Sequence, residues 1–196
     1  MLINPFDLEN DLNRLEEVEK ASLRFVTQAI LNFCVDAKEI FQTERDLVAD
    51  IGEDITREAL DRLGMAKIDQ RLFGKTDYKR ARYLFHPDYV IQQALFIDSK
   101  AEKISGQNTA TLQLSQFSLT VNQIRAGKVI TRAGNLPKIL QIGNQMFITT
   151  SLFVKYNYEE VDDVHNLRSI TIAALPKGML QEKYNPNATD SIWLAG

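Results

Sequence analysis

The spacing of apolar residues changes at Gly64, and that change limits the folds open to this chain. Upstream, Leu12, Leu15, Val18, Phe25, Ala29, Ile30, Phe33, Ala37, Ile40 and Phe41 recur at steps near three and four. This spacing predicts one long amphipathic helix over residues 11–41. A second helix follows, with Thr43 as N-cap, Asp46 at N3 and Gly64 as its stop; Leu47, Val48, Ile51, Ile55, Ala59 and Leu63 form its apolar face. Downstream the step becomes two. Residues 76–85 and 91–100 read as extended, with a turn at His86-Pro87-Asp88 between them. Met146, Ile148, Leu152, Val154, Tyr156 and Tyr158 alternate with more polar positions and predict a strand, as do residues 168–175. Residues 109–123 return to helical spacing through Leu112, Leu119 and Ile124, and Asn185-Pro186-Asn187 opens a loop. Helices first, then strands mixed with one helix, with no repeat or linker, predict one α/β (α+β) domain over residues 1–196.

Composition narrows the setting. No segment approaches ~18 consecutive apolar residues, so a membrane span is not expected, and the acidic start MLINPFDLENDLN lacks the apolar core of a signal peptide. Cys34 is the single cysteine. It excludes an internal disulfide and a cysteine-built metal site, fits a reducing cytoplasmic setting, and is expected in the core. The net charge of −3 argues against a protein that coats nucleic acid without sequence preference. Clustered cations can still line a local positive cleft in such a chain.

Chemistry concentrates in Leu95-Phe96-Ile97-Asp98-Ser99-Lys100-Ala101-Glu102, where an apolar run ends in acid, small, base, small, acid. On a strand, side chains two apart share a face, so Asp98, Lys100 and Glu102 project together. Such a face is expensive to bury unless it meets metal, substrate or counter-charge. Phosphodiester hydrolysis needs a hard divalent cation, a positioned water and an offset for developing charge. Oxygen ligands suit Mg2+. Asp98 supplies one ligand, and Lys100 orients the water and offsets phosphate charge. Two residues compete for the second carboxylate. Asp88, in a literal Pro-Asp pair, lies at the start of the strand and away from Asp98. Asp77 lies far enough upstream for an antiparallel hairpin to return it beside Asp98, and geometry favours it. An isolated Asp-x-Lys also describes a surface strand of alternating charge, so the residues alone leave both readings open.

The order and spacing of VEKASLRFVTQAI, AKEIFQT, EDITREAL, FGKTDYKRARYL, ALFIDSKAEK, TLQLSQ, TTSLFVKYNYEE, LRSITIAALPKGML and EKYNPN resemble the SfiI-type restriction endonucleases, a branch of the PD-(D/E)XK nucleases. The resemblance runs from about Glu16 to Asp190. It implies a restriction-endonuclease-like core, a mixed sheet flanked by helices with a long N-terminal helix. It implies Mg-dependent, site-specific cleavage of double-stranded DNA in a bacterial cytoplasm. It further implies an interrupted palindromic site, 5′-phosphate and 3′-hydroxyl ends, and a homo-dimer or homo-tetramer. It maps the first acid onto Asp77 and the acid–Lys pair onto Asp98 and Lys100, with the Ser99 backbone carbonyl as a further metal ligand. Relatives continue past the position of Gly196 with a basic strand that helps read bases. The segment after Lys100 departs from a relative's basic pattern, reading Ile104-Ser105-Gly106-Gln107-Asn108. Two other readings stand beside this one: a non-cleaving DNA-binding or assembly module, and a repair or junction nuclease.

Other residues have smaller roles in this reading. Glu53, on the second helix, is an auxiliary metal-site acid or part of a solvated face. Glu102 completes the metal shell or pairs with Lys100. Lys79, Arg80 and Arg82, with Lys75, flank Asp77 and with Lys103 are candidate DNA contacts. Gln107 and Asn108 suit adenine edges. His86 and His165 are read as structural. The apolar width of the N-terminal helix at Phe25, Val26, Phe33 and Cys34 suits either core or a subunit interface.

Overall fold

The computed structural model describes residues 2–44, 48–64, 81–86, 88–104 and 112–184, with the backbone alone at 48, 49 and 125. Three helices come first: α1 (Leu12–Asn32), α2 (Cys34–Thr43) and α3 (Val48–Arg62). Seven strands follow: β1 (Arg82–His86), β2 (Ile91–Lys103), β3 (Thr120–Arg125), β4 (Lys128–Ala133), β5 (Ile139–Ile142), β6 (Gln145–Val161) and β7 (Val164–Leu175).

Asp11 caps α1 by accepting from the Arg14 N–H at 3.1 Å. The expected single helix over 11–41 is two helices. Phe33 interrupts it at φ −98°, ψ 2°, sharing its N–H between the carbonyls of Ala29 and Ile30, both at 3.2 Å. Its ring is 3% exposed and lies 4.4 Å beneath the Arg62 guanidinium. The break turns α2 onto β7. Thr43, expected to cap the second helix, is the last residue of α2. The stop at Gly64 is as expected, with φ +71°.

Five strands form one mixed sheet in the order β1-β2-β6-β5, with β7 also on β6. β2 and β6 pair in parallel, Asp98 against Phe153, while β1 lies antiparallel on β2, and β5 and β7 lie antiparallel on β6. β3 and β4 form a separate two-stranded ribbon. The helix expected over 109–123 is therefore corrected: its described part holds a short 3-10 turn at Leu114–Gln116 and the start of β3. The buried residues there, Phe117, Leu119 and Val121, are spaced by two, and that period outweighs the helical spacing of Leu112, Leu119 and Ile124.

The two faces of β2 have different fates. Leu95, Ile97 and Ala101 face the helices and join Val26, Ile55 and Tyr156 in the largest core. Ala94 and Phe96 face the other way, under Leu136, Leu140 and Phe147. Beyond Phe96 this second face opens. Asp98 follows Phe96 on it, and the neighbouring β7 positions Ser169, Thr171 and Ala173 are exposed. No described helix is long and apolar enough to cross a membrane.

Candidate active site

The unbroken register of β2 on β6 puts Asp98, Lys100 and Glu102 on the open face together. The Asp98 side chain is 16% exposed, and the Lys100 Nζ lies 3.7 Å from its Oδ2, too far for a hydrogen bond. Oδ2 is buried and without a hydrogen-bond partner. Glu102 Oε2 is likewise buried without a hydrogen-bond partner, but a cation lies closer to it, the Lys155 Nζ at 2.5 Å. Of the two acids, Asp98 is thus the less tightly paired, and Glu102 pairs with Lys155 rather than with Lys100.

Glu53 approaches from α3. Its carboxyl is held above the usual carboxylate range, first by partial burial and then by the Asp98 and Asp50 carboxylates, with Lys100 opposing them. The helix acid and the strand acid therefore sense each other. An orphaned, nearly buried carboxylate oxygen with a second acid in its field fits a hard cation such as magnesium, whose ligands are oxygens. Among the described residues no three acids, histidines or cysteines converge as a metal cage.

A hydroxyl chain holds this end of β2 from behind. Ser99 projects to the helix side and donates from Oγ to Thr56 Oγ1 at 2.7 Å, which lies 2.8 Å from the Tyr156 hydroxyl. Burial pushes the Tyr156 phenol up to about 12. Gly52 lets α3 come this close. A Cβ there would lie 3.2 Å from the Ala101 nitrogen and from the Tyr156 ring. Sequence reasoning missed Gly52, Thr56 and Tyr156 as positioning residues. The signal available was a glycine inside an otherwise good helix, which marks a close approach more often than flexibility.

Several expected contacts fall elsewhere. Arg82, expected at phosphates, is 8% exposed, and its guanidinium is held by Asp61 and by the Arg57 carbonyl. Lys103 projects from the opposite side of β2 to Asp98 and pairs with Glu160 at 2.7 Å. Asp88 sits in the turn before β2, about 20 Å along the strand from Asp98. Cys34 is half-buried rather than core. His86 is structural: its Nε2 lies 3.1 Å from Ser22 Oγ and 2.7 Å from Gln93 Oε1. His165 Nδ1 likewise lies 3.1 Å from the Glu44 carbonyl. Asp77, Lys75, Lys79, Arg80, Gln107 and Asn108 lie outside the described residues.

A mixed sheet backed by helices on one face, with an acid–base pair at the open end of a central strand, defines the restriction-endonuclease class of fold. The solved structure of restriction endonuclease BglI bound to its DNA recognition sequence shares this fold at a TM-score of 0.68, over 97% of this chain and 87% of that one, with 14% identity. Nearer likeness identifies the branch. The family model for type II restriction enzyme SfiI matches residues 30–196. The type II restriction enzyme SfiI of Streptomyces fimbriatus is 36% identical over 203 aligned positions, covering 96% of this chain and 75% of the relative. The crystal structure of tetrameric SfiI bound to cognate DNA superposes at a TM-score of 0.74 with 35% identity, over 90% of this chain and 70% of that one. The chain belongs to the SfiI family of type II restriction enzymes.

Proposed function

We propose that this chain hydrolyses double-stranded DNA at a specific, interrupted palindromic site, with Mg2+, leaving 5′-phosphate and 3′-hydroxyl ends. The observation that carries the reading is the buried, unpartnered Oδ2 of Asp98 beside Lys100 on an open sheet face. Family membership supports the reaction class. Magnesium, when bound, supplies a Lewis acid for a phosphate oxygen and lowers the pKa of its water. Asp98, Asp77 and the Ser99 backbone carbonyl would hold it, with Glu53 as an auxiliary acid. Glu102 is already committed to Lys155.

The rest falls to the chain's own groups. Lys100 keeps a water in line with the scissile phosphorus and offsets the charge that builds on the phosphate. The water gives up a proton to solvent as its oxygen forms the new P–O bond, the bond to the 3′ oxygen breaks, and that oxygen takes a proton from solvent to leave as a hydroxyl. The assignment of Asp77 draws support from the hairpin register: with Arg82 opposite Leu95, β1 begins at the Asp98 end of β2. Cutting both strands of a symmetric site calls for two such sites about a two-fold axis. A homo-dimer or homo-tetramer fits, as the relative's tetramer does.

The test is incubation of the wild-type protein and of Asp98→Ala with phage DNA and magnesium, followed by gel electrophoresis. Discrete bands from the wild type and none from Asp98→Ala are expected, with DNA affinity retained in the variant. No cutting by the wild type would favour a non-cleaving DNA-binding module, and structure-dependent nicking would favour a junction nuclease. Cutting by Asp98→Ala at the wild-type rate would remove Asp98 from the site.

A further inference from the structure

The charge of this chain is not spread evenly. From Lys103 to Tyr158 the sequence holds six cations, Lys103, Arg125, Lys128, Arg132, Lys138 and Lys155, and no aspartate or glutamate, within a chain whose net charge is −3. Lys103 and Lys155 are matched by Glu160 and Glu102. The remaining four lie on the β3–β4 ribbon or at its foot. Lys128, Arg132 and Lys138 are exposed, and among the described residues none of the three forms an ion pair. Elsewhere surface cations commonly do, as Lys20 with Glu16, Arg57 with Asp54 and Arg168 with Glu159.

The shape of the ribbon matters as much as its charge. β3 and β4 pair with each other and with no other strand. They are joined by the two-residue loop Ala126-Gly127, at φ +47° and +75°, a turn whose twist matches a tight hairpin. The register sets Val121 opposite Arg132, Gln123 opposite Ile130 and Arg125 opposite Lys128. All three ribbon cations therefore stand at positions of one face. That face begins buried, at Val121 and Gln123, and ends exposed at Lys128. The ribbon's foot is fixed to the body. Gln181 accepts from the Thr120 N–H at 2.6 Å and donates to its carbonyl at 3.1 Å. The chain leaving β4 runs directly into Leu136, which packs on Phe96, two residues before Asp98 on the same face of β2. The ribbon is thus rooted on the sheet face that carries Asp98 and Lys100.

We propose that the β3–β4 ribbon is a second DNA-binding element, an arm that seats in a groove of the duplex lying over Asp98, with Lys128 and Arg132 on its phosphates. A major groove admits a two-stranded ribbon, and an acid-free ribbon on which the described Lys128 and Arg132 form no ion pair suits a polyanion rather than an apolar partner. The inference rests on the reading that the substrate is duplex DNA.

The test measures affinity by fluorescence anisotropy, without divalent metal, for a mixed-sequence duplex of about 30 bp, roughly three helical turns. The full chain is compared with Lys128→Ala/Arg132→Ala across a salt series. Each phosphate contact adds about 0.9 to the slope of log K against log salt. The double variant is therefore expected to lose about 1.8 of slope and, at ~0.1 M salt, affinity on the order of tens-fold. Lys128→Arg/Arg132→Lys should restore both. Acetylation footprinting of the wild type provides a check independent of any variant, with Lys128 shielded by the duplex. A wild type that binds DNA with the same slope as the double variant, or whose Lys128 stays reactive, overturns the arm alone. A wild type with no affinity for the duplex overturns the substrate reading and the arm with it. Loss of self-association in the double variant with an unchanged slope would make the ribbon a subunit contact and overturn the proposal.

Discussion

Thr56→Val is the most informative single substitution outside the acids. Valine keeps the shape of threonine but removes the oxygen that lies between two buried hydroxyls. Ser99, 5% exposed, donates to that oxygen at 2.7 Å, and the Tyr156 hydroxyl, on a residue 0% exposed, lies 2.8 Å from it. Each net hydrogen bond is worth about 1 kcal/mol, and each buried hydroxyl stranded without a partner costs about 1–3 kcal/mol. The two bonds share one atom, so the penalties overlap, and a loss of roughly 2–4 kcal/mol is expected. For a chain of this size that lowers Tm by roughly 5–15 °C. Urea denaturation followed by circular dichroism measures it directly. The decisive form is a cycle with Tyr156→Phe. Removing the phenol hydroxyl relieves one stranded group, so the double variant should be less destabilised than the sum of the singles by about 1 kcal/mol or more. Additivity within about 0.3 kcal/mol, or a Thr56→Val that melts with the wild type, would refute the chain of hydroxyls as a stabilising unit.

Arg82→Ala should destabilise the protein by about 1–3 kcal/mol by removing the part-buried Arg82–Asp61 ion pair. It should leave the salt dependence of DNA binding unchanged; a lowered slope in the anisotropy titration would return Arg82 to the phosphates. Glu19 is pushed up to about 7, chiefly by burial. A carboxyl raised in the folded state contributes stability that is complete below its ordinary value of 4.5 and is lost as pH rises through about 7. Glu19→Gln does not titrate, so its Tm relative to wild type should climb as pH rises between those values. A pH-independent gap would show that Glu19 ionises normally. Asp88→Asn should keep most of its cleavage activity, as assayed on phage DNA; loss to the level of Asp98→Ala with an intact dichroism spectrum would reverse the choice between the two upstream acids.

What the sequence disclosed and what it hid divide along a physical line. Asp98 and Lys100 were legible because strand alternation is local: an apolar run followed by acid, small, base places its side chains by counting in twos. The strands β6 and β7 were legible for the same reason. Arg82 misled because it stands in a run of basic residues that reads as surface, while the acid that takes it lies twenty-one positions away on α3. The contact of Ser99 with Thr56 spans forty-three positions, and no periodicity encodes it. The break at Phe33 was invisible because its spacing suits one continuous helix as well as two. Leu112, Leu119 and Ile124 matched a helical period by coincidence, while Phe117, Leu119 and Val121 set the true one.

The pairing of β2 with β6 also sets an order of events. Among the described strands, Asp98 has its neighbour in Phe153, a residue made fifty-five positions later, and parallel strands cannot be joined by a short turn. Among the described residues the hairpin with β1 covers β2 as far as Leu95, and its partners are close in sequence, so it can form early. During synthesis the motif therefore leaves the ribosome well before it has a place to lie, and contacts of such separation slow folding. The acid-bearing end of β2 should gain protection from hydrogen exchange together with β6, after the β1–β2 hairpin, in a pulse-labelling experiment. A chain arrested before residue 145 would contain the whole Asp98-Ser99-Lys100 sequence and none of the parallel neighbour that holds it in place.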